Sequence, residues 1–318
     1  MRAYLVRRLL LVVPTLFGVS LIIFTIMRVI PGDVATYIAT RGGQGIATDQ
    51  EVADLREKLG LADPLPLQFG KFVGGLLKLD VGESLWSGRP VIQEIAARVP
   101  LTIELAVLST LVSIAIAIPV GVLSAVRQDT WVDYIFRLIG IAGLAMPNFL
   151  IGVLIILFLS LYFRWIPPLG YTDLFADPAK NLQQMIWPAL ALGYRLSAVV
   201  SRMTRSTMLE VLREEYIRTA WAKGLPQHVV VYRHALQNAL LPVITIAGMQ
   251  LAFLMGGTVI MESIFTLPGV GRLLVDSVVH RDYPVVQTIV VLLAVVISLM
   301  NLVVDMLYAW LNPRIRYS

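Results

Sequence analysis

Few residues in this chain could perform catalysis, and those that could stand apart from one another. The three histidines, His228, His234 and His280, all lie outside the long apolar runs. No H-E-x-x-H pair occurs, so a zinc peptidase within a membrane would have no ligands. A serine protease there would need a base at the same depth, and none is available. The phosphate loop G-x-x-x-x-G-K-[ST] is also missing, so the chain cannot itself be the ATPase of a P-loop pump. With no cysteine, neither a disulfide framework nor a thiolate metal site is open to it. Among ionisable residues inside apolar runs, Arg195 is the deepest. At mid-bilayer it would cost roughly 2.5 to 3.5 kcal/mol, so it is expected to face protein, water or headgroups. Glu104, Arg137, Glu262 and Asp305 sit nearer run ends, where snorkelling or interfacial water is expected to satisfy them. None forms a linked series like a proton relay. The expectation is no catalytic residue, no cofactor or metal held by this chain, and structural roles for its interior charges.

The elements around these residues are those of an all-α integral membrane protein. Hydrophobic residues make up 57% of the 318, charged residues 15%, and the mean hydropathy is +0.77. Such values lie far outside the range of soluble domains. Leu9 to Val29 follows Arg2, Arg7 and Arg8 and is about one bilayer thick, which reads as a span entering from the cytoplasm. A cleaved signal peptide is the alternative, but the run exceeds an h-region and IPGD follows in place of a small-x-small site. Five further runs follow, at about Leu101 to Val126, Ile135 to Phe163, Ile186 to Val200, Ala239 to Met261 and Val285 to Leu311. The third of these is short unless it continues through Ser206. Six spans would put both termini on one side. Arg127, Arg202, Arg205, Arg213, Arg218, Lys223, Arg233, Arg314 and Arg316 concentrate basic charge on that side, which the positive-inside rule makes cytoplasmic. The net charge of +5 is explained by these loops and calls for no nucleic acid.

The organisation expected is a span over 1–30, an extracytoplasmic segment over 31–98, a core with five spans over 99–311 and a tail over 312–318. In the outer segment Thr48 and Glu51 form a capping box, Val52, Leu55 and Leu59 share a face, and Gly60 ends the helix. A second amphipathic piece carries Phe69, Phe72, Val73, Leu76 and Leu77. Together they could form a small helical cap, either as a structural lid or to meet a solute-binding protein. Within the spans, Pro119, Gly121, Gly140, Gly143, Pro147, Gly152, Gly248, Gly256 and Gly257 either let helices approach or bend them. Two readings stay open for them: plain helix packing, or a pathway lined by Met146, Pro147 and Asn148 and by Gln250. No internal repeat is evident, which disfavours the many secondary transporters built from two related halves.

One polar interruption, Glu210 to Pro242, stands between apolar runs. Met208 to Lys223 has helical spacing, with Met208, Val211, Leu212, Tyr216 and Ala220 along one side. Glu214 and Arg218 are placed to pair four residues apart. Gly224 should stop the helix with positive φ, and Pro226 suits the first turn of a second helix. Thr219, Ala220, Ala222 and Gly224 are small enough for another surface to come close, while Glu215, Arg218 and Lys223 offer a polar rim. An amphipathic helix lying on the lipid surface would share this composition.

The stretches EYIRTAWAKGL (Glu215 to Leu225) and RHALQNALLPVIT (Arg233 to Thr245) resemble the EAA loop of ABC-importer permeases of the dipeptide, oligopeptide and nickel branch. LDVGES (Leu79 to Ser84), AMPNF (Ala145 to Phe149), FTLPGVGRLLVDSVVHRDYPVVQ (Phe265 to Gln287) and VDMLYAWLNPRIR (Val304 to Arg316) resemble the same branch, in order, over nearly the whole chain. Counting back from Gly224, Arg218 occupies the place where the general pattern has an acid, and Thr219 stands where alanine is usual.

The resemblance implies a type I ABC importer permease architecture in a prokaryotic inner membrane. It also implies a second permease, two cytoplasmic ATPases that use ATP and Mg, and an external solute-binding protein. The loop 201–238 would be the coupling element, with Glu215, Arg218, Thr219, Ala220, Lys223, Gly224 and Leu225 as its contact residues. On family frequency the solute would be a di- or oligopeptide, moved by alternating access. Two other classes remain at this point: a self-sufficient channel or secondary transporter with a lipid-surface loop, and a membrane scaffold that recruits a partner.

Overall fold

A computed structural model describes residues 2–29, 32–40, 45–168 and 170–311. The tail over 312–318, with Arg314 and Arg316, lies outside them. The described chain is built from helices, and its one β-bridge joins Glu83 and Pro90. In order they are α1 (Arg2–Val29), α2 (Val34–Ala39), α3 (Asp49–Lys58), α4 (Leu65–Lys78), α5 (Val91–Ala96), α6 (Val99–Val126), α7 (Trp131–Ala145) and α8 (Asn148–Phe163). Then come α9 (Pro178–Val211), α10 (Glu215–Ala222), a π-helical turn (Val229–Ala235), α11 (Leu236–Gly257), α12 (Val259–Ile264), α13 (Val270–Val279) and α14 (Tyr283–Leu311).

Four stretches among the described residues are long and apolar enough to cross a bilayer: Leu10–Val29, Val91–Val126, Val229–Leu254 and Tyr283–Met306. The run expected over Ile135 to Phe163 is not one straight span. It breaks at Met146 and Pro147 into α7 and α8, bent by 106°. Proline explains the break: it restricts the preceding Met146 to extended backbone (φ −81°, ψ 130°) and opens the next helix. The run over Ile186 to Val200 belongs to α9, which is 34 residues long. At 1.5 Å per residue that is about 50 Å, enough to cross despite a polar sequence. Its polarity has a packing cause, because Asn181, Gln184, Ser197, Thr204 and Thr207 are buried against protein.

The chain forms two compact units, residues 1–100 with 269–298, and residues 101–268 with 299–318. In the first, the Thr48–Glu51 capping box is formed on both sides. The aromatic face of α4 lies along α1, with Phe69 5.7 Å from Phe17 and 5.3 Å from Phe24 between ring centres. Arg28, near the end of α1, lies over the Phe24 ring at 4.1 Å and donates to Gln68 Oε1 at 2.8 Å. The LDVGES segment meets the start of α14: Ser84 donates to Asp282 Oδ2, and the Leu85 amide donates to Asp282 Oδ1 at 3.1 Å.

In the second unit α9 is the central helix, sharing a core with α6, α8, α11 and α12 through Leu105, Ile151, Leu192, Leu254 and Met261. Glycine sets its distance from α6. A β-carbon at Gly193 would lie 2.6 Å from Val112 Cγ1, and one at Gly121 would lie 2.8 Å from the Ser201 carbonyl. Both contacts advance in the same direction along the two helices, so α6 and α9 run parallel. The turn after α6 and the loop after α9 therefore leave the unit at the same end. Gly143 against Tyr194, Gly152 against Met261 and Gly248 against Val304 are likewise packing contacts.

Glu262 departs from expectation. It does not snorkel: its side chain is fully buried and accepts hydrogen bonds from Thr102 at 2.8 Å and Thr258 at 2.9 Å. Both hydroxyls donate to the same oxygen, Oε1, and supply part of the hydrogen bonding that burial of a carboxyl requires. Glu104 accepts from the Tyr171 hydroxyl at 2.6 Å. Burial first, then this carboxylate, pushes the Tyr171 hydroxyl above its usual range. Arg195 is half-buried and makes no ion pair among the described residues. Arg137 is exposed, and Asp305 half-buried.

Candidate coupling surface

The helix expected over Met208 to Lys223 is two helices. α9 is capped at Leu212, and Glu214 turns extended (φ −67°, ψ 147°) as the N-cap of α10. This break resets the register. The inward stripe of α10 is Ile217 and Ala220, and Tyr216 faces out. The expected Glu214–Arg218 pair also gives way. Glu214, outside the helix, uses its backbone carbonyl to accept the Arg218 amide at 3.3 Å. Arg218 instead pairs with Glu215, Nη1 to Oε1, at 2.7 Å.

The C-terminus of α10 forms as its residues require. Gly224 takes φ +74°. The Leu225 amide donates to the Ala220 carbonyl at 3.4 Å, and the Gly224 amide donates to the Trp221 carbonyl at 2.9 Å. These two bonds make a Schellman motif, which satisfies carbonyls the helix end leaves open. Leu225 folds back over Ala220 in one apolar cluster. Pro226 follows, and its carbonyl accepts from Val229 and Val230 at 3.0 and 3.2 Å. The second helix is not a separate short rod, because the π turn runs on into α11 and Val229–Leu254 forms one candidate span. A π turn is a local widening that recurs at functional positions.

Ile217, fully buried, and Ala220 are set among Val122 and Ala125 of α6, Met208 of α9, Val230, Val231 and Ala235 of the π turn and Ala239 of α11. One eight-residue helix is thereby clamped to three long ones. Asn238 Nδ2 donates to the Tyr216 hydroxyl at 2.8 Å and adds a polar tie to α11. Beneath it, Thr207 of α9 donates to the Ala239 carbonyl of α11 at 3.1 Å. The outer side carries Glu215, Arg218, Thr219, Trp221, Ala222, Lys223 and Gly224, all exposed. Residue spacing does not signal Trp221, although a tryptophan 44% exposed on a polar helix is the largest apolar contact the surface offers. Nor does it signal Ile217 as the anchor or Asn238 as the tie. Of the seven expected contact residues, Ala220 and Leu225 face inward and five face out.

The sequence matches the model of the family described as "Binding-protein-dependent transport system inner membrane component" over residues 117–317, and its N-terminal companion over residues 1–106. The chain belongs to that family. As such it is a membrane-embedded permease subunit of an ATP-driven importer. A dipeptide transport system permease of Alkalihalophilus pseudofirmus is 39% identical, with all of both chains covered. A glutathione transport system permease of Escherichia coli K12 is 41% identical over 99% of each. In fold the permease is similar to a chain of the MetNI methionine ABC transporter, with a TM-score of 0.58 at 19% identity. That match covers 70% of this chain and 98% of the other. Family membership sets aside the self-sufficient channel and the scaffold as readings of the chain.

The expected pathway residues do not all come together. Met146, at the bend, lines an apolar hollow of about 300 Å³ with Trp187 and Tyr194. Pro147 is exposed, and Asn148 opens α8 with its Oδ1 buried and unpartnered. Gln250 is half-buried on α11 and is not among the residues lining that hollow.

Proposed function

We propose that α10 is the part of the permease that a cytoplasmic ATPase grips, and that it passes the ATPase's movement to α6, α9 and α11. The observation that carries this reading is the burial of Ile217 and Ala220 among those helices, under an outer side of charges and one exposed tryptophan. A helix merely resting on lipid would turn its apolar residues toward the bilayer, whereas these two face the protein. Glu215, Arg218, Thr219, Lys223 and Gly224 would meet the ATPase, with Ala220 and Leu225 as anchors. ATP and Mg would be used in the ATPase, and this chain would hold neither.

The assembly would comprise this permease, a second one, two ATPases and an external solute-binding protein. Its location would be a prokaryotic inner membrane with both termini cytoplasmic. Arginines crowded at the end shared by α6, α9 and α10 support that orientation. The segment 31–98 would face outward and meet the binding protein. A di- or oligopeptide is the proposed solute, supported by relatives named for dipeptide and glutathione transport. Purifying a tagged chain from native membranes tests the proposal. It should bring a second permease and nucleotide-binding subunits, and the reconstituted complex should take up dipeptide only with ATP and the binding protein. A homo-oligomer that transports without ATP would overturn it.

A further inference from the structure

A hollow of about 420 Å³ opens between α6, α7 and α9. Three arginines line it, Arg137, Arg202 and Arg205, together with Ser124, Ser201 and Ser206, and no acid does. Arg205 is already satisfied. Its Nε and Nη2 donate to Asp133 at 2.9 and 2.8 Å, and Ser124 donates to the same carboxylate. Asp129, in the adjoining turn, donates its backbone amide to Asp133 Oδ2 at 3.2 Å, and its carboxylate also attracts Arg205. Among the described residues Arg137 and Arg202 form no ion pair with an acid: both are exposed, and Arg137 lies over the Tyr134 ring at 5.7 Å. Two guanidiniums thus share a serine-lined recess in which no acid among the described residues pairs with them.

Depth and surroundings narrow the ligand. The α6 residues of the recess, Val120 to Ser124, lie two to six residues before the helix end at Val126. At 1.5 Å per residue that is roughly 3 to 9 Å inside, the level of the headgroup layer flanking an apolar core about 30 Å thick. Around Arg137, α7 exposes Ile135, Leu138 (67% exposed), Ile139 and Ile141. A soluble anion would have no use for that apolar border, whereas acyl chains would cover it. Guanidinium forks suit phosphate oxygens, and basic recesses between spans on the cytoplasmic side hold anionic headgroups.

We infer that this recess binds the headgroup of an anionic phospholipid, such as phosphatidylglycerol, from the leaflet on the α10 side. The bound lipid would fill the gap between α7 and α9 beside the Asp133–Arg205 bridge. It would act as a removable wedge next to the helix that leads into α10. The leaflet named here rests on the proposed orientation, while the binding itself rests on the recess.

The test uses the intact transport complex in nanodiscs of phosphatidylcholine with phosphatidylglycerol, read by native mass spectrometry of the released permease. Wild type should retain phosphatidylglycerol. Retention should fall about fivefold in R137Q or R202Q and about twenty-five-fold in the pair. Both residues are exposed and outside the buried bridge, so the fold should survive. Unchanged retention in the double variant would overturn the site. Displacement of the lipid by millimolar inorganic phosphate would overturn a lipid source in favour of a free anion. In parallel, K223C places one cysteine in a chain that has none, and an impermeant thiol reagent reports the side it faces. Labelling from outside together with arginine-dependent retention would sink the orientation and keep the lipid site, in the opposite leaflet.

Discussion

Asn238 donates a hydrogen bond to the hydroxyl of Tyr216 at 2.8 Å, joining the exposed side of α10 to the first turn of α11. The same amide also reaches the His234 carbonyl at 3.2 Å, at the exit of the π turn. The two motif halves of the loop are therefore one mechanical piece. A Tyr216→Phe variant removes the acceptor and leaves the packing. Because the bond is solvent-exposed, its loss should cost about 0.5 to 1.5 kcal/mol or less in stability. Solute moved per ATP hydrolysed should fall, since the tie would slip under load. Proteoliposome uptake measured alongside phosphate release checks this. An unchanged ratio would assign the bond to packing alone.

Ile217 is the anchor. It is fully buried among three long helices, so Ile217→Ala should cost about 2 to 5 kcal/mol locally. Amide exchange should rise over 215–225 while α6 and α9 keep their protection. Uniform loosening of every helix would mean that α10 holds the bundle together and is not a lever fixed upon it.

Gly224 matters through its backbone and not through crowding. Among the described residues, its two chain neighbours aside, no heavy atom lies within 4 Å of where its β-carbon would be, yet φ is +74°. Gly224→Ala should lose roughly 1 to 2 kcal/mol at the turn, and Gly224→Asn less, because asparagine tolerates this region. If the ATPase also needs close approach here, Gly224→Asn should keep the fold and still lose coupled uptake. Full uptake by that variant would show that only the turn is required.

Asp133 is fully buried, and both its oxygens are committed to Arg205. Asp133→Asn leaves a half-buried guanidinium unpaired and should cost about 3 to 5 kcal/mol. Adding Arg205→Gln should recover part of it, giving a coupling of about 0.5 to 3 kcal/mol in a double-mutant cycle read by thermal unfolding. Additive losses would show that the two residues stabilise the bundle independently.

What could be read in advance follows from locality. α6 and α14 were legible because lipid-facing helices must be apolar along their length. Gly224 and the Thr48–Glu51 box were legible because turns and caps are decided by neighbours in sequence. The reach of α9 was obscured because its buried polar side chains are satisfied within the protein, Asn181 and Gln184 by the Thr172 backbone of the preceding loop, Thr204 by the Val200 carbonyl and Thr207 by the Ala239 carbonyl of α11, so its sequence need not look like membrane. The burial of Glu262 is hidden for the same reason, its partner Thr102 standing 160 residues away. In the loop, the extended Glu214 interrupts a spacing that reads as one helix, and that single residue reassigns which side chains face inward. The outward role of Trp221 became visible only with that register.

The central claim is tested most directly by placing a photo-crosslinker at position 221 in the assembled, reconstituted complex and irradiating with and without ATP. The account predicts an adduct with the ATPase subunit whose yield changes with nucleotide. Adducts only with lipid, or with the external binding protein, would contradict it.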